Sequence, residues 1–567
     1  MDEFKDLNRP VRRRSNSRRR QNQQTVRNIL TVALAIVLLC GVGALLYFLV
    51  IRPNRTGPTP PVVVTTDTAP STEPETQATQ TEHPGEFADI LKAAALKRTQ
   101  YDYDGAIQYV KENVPGYENY TELTDFISEC MAEKVSLVKI DNKTITHVFF
   151  HILVWDEKTA FSKANWSAMD YNTVMTTAQE FKDMLQQMYD RGYVMVSIHD
   201  IAKIETMADG TQRMMYQPIY LPEGKKAFVM SQDDVCYYDY MIQSAQYISA
   251  KDKGGTYTGC ATKLVINEEG RIVNEMLMSD GKTVTYGAFD LVPILDEFVD
   301  AHPDFAYKGH KATLALTGYN GILGYRTSYI AYSPDEILNR HYDELFKGGN
   351  FGEAHAYELA RDPKVHVYDV PDIEEQRAEA SRVAKALIED GYTFASHTWG
   401  HMDMSEVARD PKNPAERLFR DTQWWDREVA PLIGGTDIII FAYGGDMGWR
   451  PYSYENVAYK HLKSMGFDYY CNVDASQHAW MQLVSSVKAE DGSYEDTGFY
   501  RMARRNLDGQ RMLEDILYPE KERLSDLFVS KEIFSRNRPI PTKEDIGGKF
   551  IGVKVPEGYD PEHLFDD

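Results

Sequence analysis

Between residues 146 and 442 the chain alternates short apolar runs with amphipathic stretches of helical period, and this alternation restricts the fold more than any other feature. The run 146–154 reads as a strand, and 176–191 reads as a helix with Phe181, Met184, Leu185 and Met188 on one face. Strand signals follow at 193–198, 227–230, 312–317, before His397, and at 438–442; helical periods fall at 291–299, 373–390 and 414–431. Alternating β and α units predict a parallel α/β sheet or barrel. The alternation breaks between about 247 and 288, where Lys263–Asn267, Glu269-Gly270 and Arg271–Asn274 predict a hairpin insertion.

The flanks have a different character. Residues 1–28 hold nine Lys/Arg against three Asp/Glu, a charge of +6 within a chain of −23, which leaves −29 for the rest. So acidic a remainder argues against nucleic acid as partner. Residues 29–51 carry no charge and are long enough to span a bilayer as a retained single helix. The basic side faces the cytoplasm, which predicts a cell-membrane protein with everything downstream outside the cell. Residues 52–85 are rich in Pro, Thr, Gln and Glu and predict a disordered stalk. Helical period over 86–140 predicts a small helical neck, and the alternation predicts an α/β domain over 141–500 followed by a C-terminal extension over 501–567.

Two stretches carry chemistry. Ser231-Gln232-Asp233-Asp234 ends one apolar strand run, and Ser396-His397-Thr398-Trp399-Gly400-His401 ends another. In parallel α/β folds the C-terminal ends of strands share one face, where loops converge. A carboxylate with two imidazoles suits Zn²⁺ or a similar ion and leaves a position open. A further carboxylate can then act as a base. Either piece alone is weak, since adjacent aspartates are ordinarily solvated and His-x-x-x-His is ordinarily surface or packing. A helical 397–401 segment would put both imidazoles on one side.

The order of these motifs resembles the polysaccharide deacetylase family (NodB-homology domain, carbohydrate esterase family 4) over about His147–Gly466. His397-Thr398-Trp399-Gly400-His401 matches that family's His-Ser/Thr-x-x-His in full, and Ser231-Gln232-Asp233-Asp234 stands where the family has Thr-Phe-Asp-Asp. Phe441-Ala442-Tyr443-Gly444-Gly445-Asp446 and Val148-Phe149-Phe150-His151 are similar to segments of the poly-N-acetylglucosamine deacetylase branch. The resemblance implies a distorted (β/α) barrel in which Asp234, His397 and His401 hold a divalent metal, most simply zinc. It implies that Asp233 is the general base, that His151 is the acid, and that the backbone amide near Tyr443 helps to hold the oxyanion. It also implies an N-acetylated glycan polymer as substrate. The chain departs from the family at Gln232, at Val235, and at Ala442, where most members have an arginine; this leaves open which group orients Asp233. Trp399 and Tyr443 are candidate sugar-stacking faces, with buried packing as the alternative role for Trp399. A catalytically silent glycan-binding module and an O-acetyl esterase are the rival readings.

Overall fold

The computed structural model describes residues 85–163, 165, 168–238, 241, 258–280, 282–329, 372–405, 414–448, 456–473, 481–484, 496–550 and 552–565. They fall within one compact unit, Thr79–Asp567. The basic tail, the uncharged run 29–51 and almost all of the stalk lie outside them. Among the described residues no helix is long and apolar enough to cross a membrane.

Seven strands close a barrel in which every neighbour is parallel: β1 (Thr146–Phe150), β3 (Lys226–Gln232), β7 (Thr313–Leu316), β8 (Thr393–Ser396), β9 (Ile438–Ile440), β10 (Tyr469–Val473) and β11 (Phe499–Asn506). β2 (Tyr193–Met195) stands outside this ring and pairs with the first half of β3, at Lys226–Phe228. The second half of β3 turns to β7 instead, through Ser231 and Gln232. One strand thus serves three neighbours, and the barrel is distorted at this seam. The strands are buried on both sides, which explains the continuous apolar character of all but β11.

Helices cover the outside. α5 (Ala178–Asp190) starts at a capping box, with the Thr177 hydroxyl on the Glu180 amide and the Glu180 carboxylate on the Thr177 amide. Its stripe Phe181, Met184, Leu185 and Met188 is fully buried, and Phe181 meets Phe150 of β1 edge-on at 4.9 Å. Truncating a buried Phe of this kind costs about 3–5 kcal/mol. α6 (Leu291–Ala301), α7 (Ile373–Glu389) and α8 (Pro414–Glu428) occupy the other predicted helical segments.

The hairpin insertion is a three-stranded antiparallel sheet of β4 (Lys263–Ile266), β5 (Ile272–Leu277) and β6 (Val284–Gly287). The neck is α1 (Ala88–Thr99), α2 (Tyr103–Asn113) and α3 (Thr121–Ser136). It docks where β7 begins: the Lys308 amide donates to the Gln100 carbonyl at 2.7 Å, and Tyr101 stacks on Tyr307. The sequence boundary at 500 needs correction, because β11 runs to Asn506 and pairs with both β10 and β1 to close the barrel. Its arginines made it read as polar tail, yet Arg501, Arg504 and Arg505 are all buried.

Candidate metal centre

Each predicted site residue follows a parallel strand. Asp233 and Asp234 follow β3, His397 follows β8, Tyr443 lies after β9 and His151 after β1. The strand ends therefore bring together groups far apart in sequence. One potential ligand atom from each of Asp234, His397 and His401 lies within 4.8 Å of the other two. His401 Nε2 is 3.7 Å and His397 Nε2 3.9 Å from Asp234 Oδ1. Ligands about 2.1 Å from a tetrahedral ion stand about 3.4 Å apart, so the two distances to Asp234 exceed that spacing by a few tenths of an ångström. Two imidazoles and one carboxylate are a donor set that suits zinc, and the residues fit such an ion.

His397 has its ring fixed from behind. Its Nδ1–H donates to the Ile440 carbonyl at 2.8 Å, which leaves Nε2 as the lone-pair nitrogen facing Asp234. The 397–401 segment is not a helix. Thr398 and His401 adopt left-handed backbone, with φ of 63° and 53°, and this turn carries the His401 ring to a centroid distance of 5.0 Å from His397. The Asp421 carboxylate accepts from the amides of Trp399 and Gly400, and Thr398 Oγ1 accepts from the Met402 amide. Asp234 and Tyr443 are also left-handed, at 60° and 56°. Such backbone costs about 1–3 kcal/mol per residue and persists only where surroundings enforce it.

Asp233 lies beside the cluster, with Oδ2 3.9 Å from His397 Nε2. Arg504 of β11 is the group that orients it, donating from Nη1 to Oδ1 at 2.6 Å and from Nη2 to Oδ2 at 2.9 Å. Burial opposes ionisation of Asp233, but Arg504 and His397 outweigh it, and the carboxyl falls to about 2. Arg504 also bonds Ser231 Oγ and lies 4.1 Å from the centre of the Phe149 ring. Burial likewise opposes ionisation of Asp234, but His401, His397 and His151 keep its carboxyl below the ordinary range. Burial drives the His401 imidazole down to about 4, against the pull of Asp234.

Tyr238 and Asp290 escaped the sequence reading, and Gln232 entered it only as a departure from the resembled motif. The Tyr238 hydroxyl donates to Asp234 Oδ1 at 2.6 Å and lies 2.8 Å from Thr317 Oγ1. Gln232, where the resembled motif has Phe, donates to both oxygens of the buried Asp290 and to the His151 carbonyl. Asp290 also accepts from the Tyr237 hydroxyl and the Leu153 amide, while Asn274 of β5 bonds Tyr237 and the Asp290 amide. The hairpin insertion is thereby wired to the strand that carries the Asp pair. A Gln in an otherwise repeated apolar position was the only signal.

His151 lies close enough for its charge to act on both aspartates, and its Nδ1–H donates to the Val174 carbonyl at 3.0 Å. Tyr443 is 68 % exposed, with its ring 4.4 Å from that of His401. It keeps an open face, whereas Trp399 is fully buried, with its indole N–H on Glu428 Oε2. Trp399 is therefore packing and no sugar platform. No family model, curated protein or solved structure matches the chain.

Proposed function

We propose that this protein is a metal-dependent hydrolase that removes N-acetyl groups from a glycan polymer, either peptidoglycan or a poly-N-acetylhexosamine. The supporting observation is the convergence of Asp234, His397 and His401 beside a second carboxylate, Asp233, that is aimed by a buried arginine. Asp234, His397 and His401 would hold a divalent ion, which would supply polarisation of the acetyl carbonyl and acidification of water. Asp233 is ionised throughout the working range and takes one proton from the attacking water as its oxygen bonds to the acetyl carbon. The Tyr443 backbone N–H is the donor assigned to the oxyanion. His151 gives a proton to the sugar nitrogen as the C–N bond breaks, so the products are acetate and a free amine. The exposed ring of Tyr443 offers a stacking face for a sugar. With the uncharged run 29–51 as a membrane anchor and the stalk as a spacer, the domain works outside the cell on wall polymer.

The test is acetate release from chitooligosaccharide and from muropeptide with added Zn²⁺, comparing wild type with Asp233→Asn. The wild type is expected to release acetate and the variant to lose about 10²–10⁴-fold of the rate. Wild type that releases none from either substrate leaves at most a glycan-binding module. Release only from O-acetylated polysaccharide makes the protein an esterase.

A further inference from the structure

We propose that the segment after the barrel is part of the catalytic unit: Arg538 is a positioning residue that, through the loop 172–177, aims the His151 imidazole. This rests on the reading of His151 as the proton donor to the leaving amine.

The His151 ring is only partly buried, and the hydrogen bond described for it is the one from Nδ1 to the Val174 carbonyl. That carbonyl ends the short helix α4 (Ala168–Val174) and so has no partner within its own helix. Val174 itself is 41 % exposed, while the residues after it are anchored: Met175 is in the core, the Thr176 carbonyl accepts from the Val154 amide at 2.9 Å, and the Thr176 hydroxyl donates to the Leu507 carbonyl. Arg538 adds a hold on the carbonyls that flank Val174. Its guanidinium donates to the Asn172 carbonyl at 3.0 Å and to the Met175 carbonyl at 2.6 Å, one on each side of Val174. It also donates to both oxygens of Glu180 at 2.7 Å, and Glu180 caps the start of α5 just beyond the loop. With Arg538 and Glu180 almost fully buried, this is a paired charge in a dry site, where planar two-point geometry counts most.

The rest of the wrap supports the clamp. The Asn172 side-chain amide donates to the Pro539 carbonyl at 2.8 Å, and the Ser535 amide donates to Glu180 Oε1. Gly509 opens α10 (Gly509–Leu517), and a Cβ there would lie 2.0 Å from the Asn172 carbonyl and 2.5 Å from Arg538 Nη1. Only glycine permits that approach. With its two neighbouring carbonyls held by Arg538, the Val174 carbonyl faces His151 at a fixed distance. It fixes the Nδ1–H on the loop, so that the proton given to the leaving nitrogen is the Nε2–H of the doubly protonated ring, which solvent restores in each turnover. The mobility of the acid is therefore set by a residue 387 positions later in the chain, the difference between 538 and 151.

The test compares two leaving groups in full-length protein. Breaking the amide requires a proton on the departing nitrogen, whereas 4-nitrophenyl acetate loses a stable phenolate and needs none. Arg538→Gln is expected to lower chitooligosaccharide deacetylation about tenfold or more, part of the 10²–10⁴-fold that a general acid supplies. Hydrolysis of 4-nitrophenyl acetate and zinc affinity should change less than twofold. Should Arg538→Gln fail to fold, Asn172→Ala, which removes the side-chain bonds to Arg538 Nη1 and to the Pro539 carbonyl but keeps the backbone one, is held to the same ratio. A parallel fall on both substrates, or no fall on either, overturns the inference. A wild type without deacetylase activity defeats the functional reading alone. In that case the imidazole ¹⁵N shifts of His151, assigned with His151→Gln, decide: a single Nδ1–H tautomer in wild type that becomes a mixture in Arg538→Gln upholds the clamp, and identical spectra overturn it.

Discussion

The guanidinium of Arg504 lies flat against the carboxylate of Asp233, two nitrogens to two oxygens at 2.6 and 2.9 Å, with both side chains almost fully buried. The two residues are 271 positions apart, and only closure of the barrel brings β11 next to the strands that precede it. The pairing has two effects. It keeps Asp233 ionised in a site that would otherwise force a proton onto it, and it turns the carboxylate so that Oδ2 faces His397.

Arg504→Leu should therefore be harmful in two separable ways. Removing one member of a buried pair leaves an uncompensated charge, so unfolding in urea should lose about 3–5 kcal/mol. The orphaned Asp233 carboxyl should also move upward, because burial then acts almost unopposed. A double variant, Arg504→Leu with Asp233→Asn, should recover much of the lost stability, since no charge is left behind. Equal destabilisation in the single and double variants would show that Arg504 matters for packing on Phe149 and not for the charge of Asp233.

Tyr238 acts on the other aspartate. Its hydroxyl donates to the Asp234 oxygen that both histidines approach, and its ring stacks on Tyr319 with centroids 5.3 Å apart. Groups behind a metal ligand hold it in one rotamer, and their loss weakens metal binding by about 10–100-fold. Tyr238→Phe keeps the ring and removes only the hydroxyl. Its zinc dissociation constant, measured by chelator competition, should rise by that factor while the folded structure keeps its melting temperature within a few degrees. An unchanged constant would mean that Thr317, not Asp234, is the functional partner of this hydroxyl.

The parts of the site that sequence made visible are those written in contiguous stretches. His397 and His401 stand four positions apart, the Asp pair closes an apolar run, and the alternating periods announce a parallel α/β sheet or barrel. The parts that stayed hidden depend on closure. Arg504 belongs to a strand whose polar composition, Phe499-Tyr500-Arg501-Met502-Ala503-Arg504-Arg505-Asn506, reads as solvated tail. The strand is buried because each arginine finds an acid from another element: Asp446 for Arg501, Asp233 for Arg504 and Asp526 for Arg505. Composition cannot reveal such pairing, because a buried charge and an exposed one look the same until the partner is placed. In sequence Trp399 is open between sugar stacking and packing, and the structure selects packing. Its neighbours in the His-x-x-x-His stretch put it near sugar, but Gly318 leaves a slot that the indole fills: a Cβ at that glycine would fall 2.1 Å from the ring.

Zinc binding should depend on pH less than two ordinary imidazoles would allow. An imidazole must be neutral to ligate, and a free histidine near 6.5 competes with protons for the metal throughout the range below neutrality. Burial holds the His401 ring down to about 4, and the opposing attraction of Asp234 recovers only part of that fall. The ring is then already neutral in the metal-free protein at pH 5, so it has no proton to release on binding. Asp233 at about 2, and Asp234 below its ordinary range, are ionised there as well. The sign follows directly: the share of zinc affinity owed to His401 is fully present above about pH 5 and is lost as pH drops through about 4. Isothermal titration of the full-length protein with Zn²⁺ at pH 7 and pH 5 should show a loss no greater than the roughly thirtyfold that one imidazole of ordinary value would cause. Two ligating histidines titrating near 6.5 would together lose about 1.5 pH units each, or roughly a thousandfold, over the same interval. A loss of that size would place His401 in water and contradict the buried geometry from which the low value arises.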